Sequence, residues 1–450
     1  MSTPLTDRIE QEHAAAVGAL APAVRARRRR ALEQFLARGL PTGRDENWRY
    51  ANLRPLERVR FAPVPQRTAI GEGQLPAPIA GYARFAFIDG LWLPDLSHAG
   101  GTHGVSVRAR SSVRPGAEAA AAEAAGGEAA GRDAAGSDAA SPASAASAEG
   151  AFALLNAAFA PDGAEIAVED GQQACIELVF AACTPAQQAA SYPALRLRVG
   201  RGAHLSLIER HVSVGNAASF VDAAVQAHIG ERASVDHYRV QQLSAESTWI
   251  DTLAAEVQAG ASYRLHAVSL GALSARSTLT IALAGERAEL VLDAVAVGRG
   301  RQVHDAYALV EHQAAHTRTD ERFRGIAAAR SRLAFNGKIV VRPQARGADS
   351  TQSLRGLLAG GEAEIDVRPQ LEIYTDEVRC SHGATAGKLD EGMLFYLLSR
   401  GIDRDTARRL LEWAFLEDVV ARIAVAELRR AVELALAGQM QEGEALKELL

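Results

Sequence analysis

The sequence predicts a mainly β protein, with a parallel β-helix core and α-helical domains at both ends. Three observations carry this. A glycine-containing turn followed by alanine recurs, as Gly202-Ala203, Gly230-Glu231-Arg232-Ala233, Gly260-Ala261 and Gly285-Glu286-Arg287-Ala288. The alanines at 203, 233, 261 and 288 lie 30, 28 and 27 residues apart, and Gly361-Glu362-Ala363 echoes the unit. The runs between these turns are short and alternate, as in Leu195-Arg196-Leu197-Arg198-Val199, which is strand periodicity. Helix-length apolar periodicity is missing from this region and present near both ends. A period in the high twenties implies rungs that stack their apolar edges on one another. A two-sheet sandwich gives similar strands but has no reason to repeat its turns.

The elements follow in order. Residues 1–60 form an N-terminal helical domain: 5–38 read as helices turning near Pro22, and Gly39 to Gly43 breaks the pattern. Trp48, Tyr50, Leu53 and Leu56 are expected to pack on those helices. The basic run Arg25 to Arg30 precedes Ala31, Leu32, Phe35 and Leu36 at helical spacing, so it reads as the solvated face of an amphipathic helix. Residues 61–115 connect to the core. Residues 116–150 contain only Ala, Gly, Glu, Asp, Ser, Arg and Pro, a composition that cannot anchor a core and predicts a disordered insertion. The β-helix spans 151–385, and a C-terminal helical domain spans 386–450. In the latter, Gly401 is placed to end one helix and Asp403 to cap the next. Ala407, Leu410, Leu411, Ala414, Phe415 and Val419 then form an apolar stripe, part core and part available to a partner.

Bulk properties narrow the function classes. Of 450 residues 48% are hydrophobic but only 5% aromatic, so the core is built largely from small side chains. A net charge of −5 argues against a nucleic-acid surface. Cys175 and Cys183 sit in apolar surroundings and read as core thiols. With no C-x-x-C pair there is no zinc-knuckle or ferredoxin-type motif. The N-terminus lacks a signal pattern and no apolar run approaches spanning length, which predicts a soluble cytoplasmic protein without a membrane partner.

The densest chemistry lies between Arg368 and Ile402. If Val378 to His382 is a strand, its period of two puts Cys380 and His382 on one face, a thiol and an imidazole that suit iron or a cluster. Ordinary packing is the competing reading of such a pair. Gly383 to Lys388 resembles a phosphate loop but has three residues between its glycines and Leu389 after the lysine, so it is not one. His304, His312 and His316 form a second metal candidate, against surface histidines on solenoid rungs. A β-helix polysaccharide lyase is the enzymatic alternative, weakened because Trp249, Tyr238 and Tyr263 are isolated rather than grouped for sugar stacking.

The segment PQLEIYTDEVRCSHGATAGKLDEGMLFYLLSRGI resembles the signature of the SufB/SufD family of iron–sulfur cluster assembly proteins. The resemblance extends to Arg324-Gly325-Ile326, to Phe335-Asn336-Gly337-Lys338-Ile339, to the Gly-Glu-x-Ala turns and to GLPTGRDENWRYANLRPL, the last being typical of SufD. A SufB-like paralogue is the alternative within the family, but the N-terminal cysteine cluster usual there is absent. The resemblance implies a right-handed parallel β-helix and a scaffold role without enzymatic activity of its own. It implies pairing with SufB through the β-helix, binding of the SufC ATPase through the C-terminal helices, and a homodimer when the chain is alone. It implies that His382 is a ligand or iron-entry residue for a transient iron–sulfur cluster or iron at the SufB interface, with Cys380 beside it. No cofactor is expected to be held tightly by the isolated chain.

Overall fold

A computed structural model of the protein describes residues 4–64, 68–98, 104–109, 150–183, 189–216 and 218–440. The expected insertion at 116–150 lies outside them except for Gly150. From Ala164 onward the chain alternates between two parallel sheets, as the repeats predict, making a β-solenoid of about seven turns. One sheet runs through His204–Ser213, Ser234–Gln242, Ser262–Ser269, Glu289–Gly298, Arg318–Ala327, Ala348–Leu358 and Val378–Gly387. The facing sheet runs through Ala194–Val199, Ser219–Ile229, Thr248–Val257, Ser274–Leu283, Val303–His312, Arg332–Val341 and Glu364–Ile373. The two will be called the first and the second sheet.

The repeated turns set the rung height. In each, the alanine N–H donates to a carbonyl three residues back: Ala203 to Gly200, Ala233 to Gly230, Ala261 to Gln258 and Ala288 to Gly285. The residue before each alanine is left-handed, at φ 63° for Gly202, 56° for Arg232, 64° for Gly260 and 59° for Arg287. Two of the four are arginines, so the stacked turns hold a conformation that single L-residues avoid. The stacking is visible as a ladder of N–H to O bonds from Gly202 to Glu231, Arg232 to Ala259, and Gly260 to Glu286. The four alanines are fully enclosed because a larger side chain at the corner would separate the rungs.

Inside the solenoid, residues of like phase stack in columns. Leu205, Val235, Tyr263 and Leu290 are successive register partners, each at most 1% exposed. Burial of such a side chain is worth about 1.5–3 kcal/mol. Helices cover the outer faces. Helices α1 (Pro4–Val17), α2 (Pro22–Arg38) and α3 (Ala151–Phe159) pack Ile9, Leu32, Phe35, Phe152 and Phe159 with Trp48 and Leu56 against Phe220 and Ile250 of the second sheet. Arg25, Arg27, Arg29 and Arg30 are exposed as expected, but Arg28 is buried beside the Pro161 carbonyl. Helices α4 (Glu391–Ser399), α5 (Arg404–Val420) and α6 (Ala426–Gln439) cover the first sheet, where Leu416, Val419 and Val432 meet Tyr238, Val268 and Val295. Gly401 is left-handed at φ 86°, and the Asp403 carboxylate accepts the Asp405 and Thr406 N–H groups as the N-cap of α5. Strands Ala83–Ile88 and Val105–Ala109 join the N-terminal end of the two sheets. The C-terminal end is left open, and it positions the site.

Candidate functional site

Val378–Gly387 is a strand, parallel to Ala348–Leu358 and the last of the first sheet. Glu364–Ile373 is the last of the second sheet. Elsewhere in the solenoid alternate residues are sealed by the next rung, but here most of the final strand is exposed and the Glu364–Ile373 strand is only half-buried. The result is a broad parallel edge whose outward N–H and C=O groups are free to pair with another chain. Because these residues form a strand, Cys380 and His382 do share a face. Their register partners Ser350 and Gln352 are each 1% exposed, so that face points into the solenoid. Cys380 is half-buried against the core, whereas His382 is exposed at the mouth. The Gly383 to Lys388 stretch continues this strand through Gly387, instead of forming the loop-to-helix turn that phosphate binding requires.

Immediately after the strand, α4 presents an apolar surface. Phe395 is 71% exposed, with Met393 and Tyr396 beside it, while Leu394 alone is buried. Leu357, Leu389, Met393, Leu411 and Phe415 line a groove of about 480 Å³ between α4, α5 and the end of the first sheet. The apolar stripe of α5 is therefore divided: Ala407, Leu416 and Val419 are core, and Leu411 and Phe415 border the groove. Charged contacts fix α5 and the turn after it to the solenoid, Arg324 to Asp418 at 2.9 Å and Arg422 to Asp293 at 2.7 Å. At the opposite side, the 45–49 segment is tied to the last rung by Glu46–Arg368, and the Trp48 ring lies 4.2 Å from the Arg276 guanidinium.

Sequence reasoning missed a buried polar cluster inside the solenoid. Arg239 makes bidentate pairs with Glu209 (2.9 and 3.0 Å) and Asp251 (2.8 and 2.9 Å). His211 and His237 bring Nε2 to the Glu209 carboxylate at 2.5 and 3.0 Å, and Tyr263 Oη lies 3.0 Å from His237 Nδ1. Burial pushes the Glu209 carboxyl up, but Arg239 and the two imidazoles outweigh it and hold it well below the usual range. Since Glu209 can only accept, His237 carries its proton on Nε2 and accepts from Tyr263. The signal lay in polar residues at inward phase, but they come from rungs about thirty residues apart.

The other candidates resolve as follows. His304 and His312 lie on one strand with the same phase, eight residues apart, roughly 26 Å at strand rise, too far to share an ion. His304 lies within 3.3 Å of Ser269 Oγ, and His312 lies between Thr317 and Thr319 at 2.8 and 3.0 Å. His316 occupies a left-handed turn position at φ 57°. Among the described residues no group of three or more His, Cys, Asp or Glu is arranged to hold a metal. Cys183 is buried, its thiol pushed up to about 12 by burial, but Cys175 is exposed, because it takes the outward phase of its strand. Trp249, Tyr238 and Tyr263 are all buried, so none lies where a sugar would stack.

Burial lowers His266, His304 and His312 from 6.5 to about 4. As pH falls through 6.5 the unfolded chain takes up these protons while the folded chain does not, so stability is lost between 6.5 and 4. In the folded chain the three rings are therefore expected to stay largely neutral at about pH 5, read from their ring signals in an NMR pH titration. A ring that is fully protonated at that pH contradicts its burial.

Among the described residues no helix is long and apolar enough to cross a membrane. Comparison with known proteins matches residues 182–415, just over half of the chain, to the family described as SUF system FeS cluster assembly, SufBD core domain. The iron–sulfur cluster assembly protein SufD of Escherichia coli is 29% identical over 423 residues, which cover 92% of each chain. A SufBD family iron–sulfur cluster assembly protein of Synechocystis is 27% identical over 404 residues, 87% of this chain and 85% of that one. The chloroplastic protein ABCI7 of Arabidopsis thaliana is 26% identical over 242 residues, about half of each chain. The family match spans most of the stacked turns, the Cys-Ser-His-Gly strand and the start of the C-terminal helices. The chain belongs to the SufB/SufD family, resembles its SufD members, and has its role in iron–sulfur cluster assembly.

Proposed function

We propose that this chain is the SufD-like scaffold subunit of a SufBCD complex. The observation that carries the reading is the open last rung, a free parallel edge with Cys380 and His382 facing inward at its mouth. SufB adds its own strands to the Val378–Gly387 and Glu364–Ile373 edges, and His382 contributes one ligand to an iron or nascent-cluster site completed by SufB. Cys380, half-buried beside it, is a second donor or a packing residue of the same site. The iron or cluster is cargo, held transiently and not kept by the isolated chain. Without SufB, the same edge accepts a second copy of this chain. The complex operates in the cytoplasm.

Motion comes from the helices. The exposed face of α4 and the groove beside it take the SufC ATPase, which supplies the nucleotide chemistry for which this chain has no phosphate loop. Dimerisation of two SufC subunits on ATP pulls the C-terminal helices. Those helices are clamped to the rungs by Arg324–Asp418 and Arg422–Asp293, so the pull reaches the last rung and opens the ligands to iron and sulfur.

The test is co-purification of the tagged chain with co-expressed SufB and SufC. Retention of both is expected, and loss of SufB overturns the reading. Phe395→Ser is expected to weaken SufC retention by roughly thirtyfold, the cost of removing a 2 kcal/mol apolar anchor, with SufB retention unchanged. Equal SufC binding by the variant removes α4 from that interface.

A further inference from the structure

A layer of polar groups without partners lies beneath the Cys380–His382 pair. Parallel pairing sets Gln352 beside His382, Ser350 beside Cys380 and Glu321 beside Gln352, all facing inward. Gln352 and Ser350 are 1% exposed and Glu321 is fully buried. Gln352 Nε2 donates to Glu321 Oε2 at 3.2 Å and to the Gly337 carbonyl at 3.0 Å. The Gly337 carbonyl can only accept, which fixes which end of the amide is nitrogen and leaves Oε1 turned away from it. Gln352 Oε1 is buried with no hydrogen-bond partner, and so is Ser350 Oγ.

This arrangement is built. A Cβ on Gly337, across the solenoid, would lie 2.4 Å from Gln352 Nε2 and 2.3 Å from Glu321 Oε1, so a side chain there would displace the ends of both residues from this arrangement. A buried acceptor without a donor carries the full desolvation cost of its lone pairs. The nearest side chain on the next rung is His382, one strand spacing of about 4.8 Å away, whereas Glu321 is two spacings from it.

We propose that Gln352 is a positioning residue for His382. Its Oε1 accepts the N–H of one ring nitrogen, which leaves the other nitrogen unprotonated and directed to the open end as the metal-binding atom. Glu321 and the Gly337 carbonyl hold the amide so that oxygen, not nitrogen, faces the ring. Histidine ligands commonly have their second nitrogen fixed in this way, which sets the tautomer and raises the basicity of the ligating one. The assignment rests on the reading of His382 as a ligand.

The test is nitrogen NMR of the full-length chain labelled with ring-¹⁵N histidine, the His382 signals being identified by their loss in His382→Ala. One neutral tautomer of His382 is expected in the parent. Gln352→Met, similar in length but without a strong acceptor, is expected to relax it to the mixture seen for free imidazole, with an unchanged far-ultraviolet circular dichroism spectrum. The same variant in the co-expressed complex is expected to lower iron affinity by about 10- to 100-fold. A tautomer mixture already present in the parent overturns the proposal without any variant, so misfolding of Gln352→Met does not shield it. A single tautomer unaffected by Gln352→Met also overturns it. Cluster loading that survives His382→Ala overturns instead the ligand reading, whatever the tautomer shows.

Discussion

His382→Ala is expected to leave the chain folded and assembled but to cut the cluster recovered on the co-expressed SufBCD complex by at least about tenfold. Losing even an outer-shell partner of a metal ligand typically costs 10- to 100-fold, and the ligand itself costs no less. The side chain is exposed, so its removal changes stability by no more than about 0.5 kcal/mol. Unchanged melting together with lost cluster therefore identifies a ligand rather than a packing residue. Cys380→Ala is a useful contrast, because that side chain packs against the core and its loss acts on both quantities. Full cluster content in His382→Ala removes the residue from the mechanism.

Arg239→Met is expected to have the opposite signature. It strips the guanidinium from Glu209 and Asp251, which are 1% and 2% exposed, and leaves two buried carboxylates facing one another. Breaking such a buried ionic group by removing one member costs about 3–5 kcal/mol, although replacing the whole group with apolar residues would be close to neutral. The measurement is the shift of the denaturant midpoint at constant m-value. Cluster content per folded complex is expected to be unchanged. Arg239 is separated from the last rung by Ala267, Ala294, Phe323 and Leu354, its successive register partners leading to Ala384. A midpoint shift below about 1 kcal/mol contradicts the ion-pair assignment.

The solenoid was legible because its physics is local. Each turn needs a left-handed residue followed by a small one, and that requirement repeats with the rung, so Ala203, Ala233, Ala261 and Ala288 announce the period directly. The shared face of Cys380 and His382 followed from strand period alone. Neither signal tells which face is inward, because that depends on the neighbouring strand, where Ser350 and Gln352 lie thirty residues earlier. The Arg239 cluster escaped for the same reason: its members sit on four strands of three successive rungs and meet only when the β-helix closes. Cys175 was misread as core because an apolar neighbourhood in sequence does not fix phase, and its strand turns that residue outward. The exposed face of α4 was equally hidden, since Met393, Phe395 and Tyr396 have the composition of a core helix.

The claim that the last rung is the SufB interface is tested most directly by amide hydrogen exchange of the full chain, alone and with SufB. Alone, the outward amides of residues 364–387 are expected to exchange rapidly, because no strand covers them. With SufB they are expected to become protected, most strongly across Val378–Gly387, while the inner rungs change little. A complex that forms with these amides still exchanging as in the free chain, and with protection appearing elsewhere, would contradict the account.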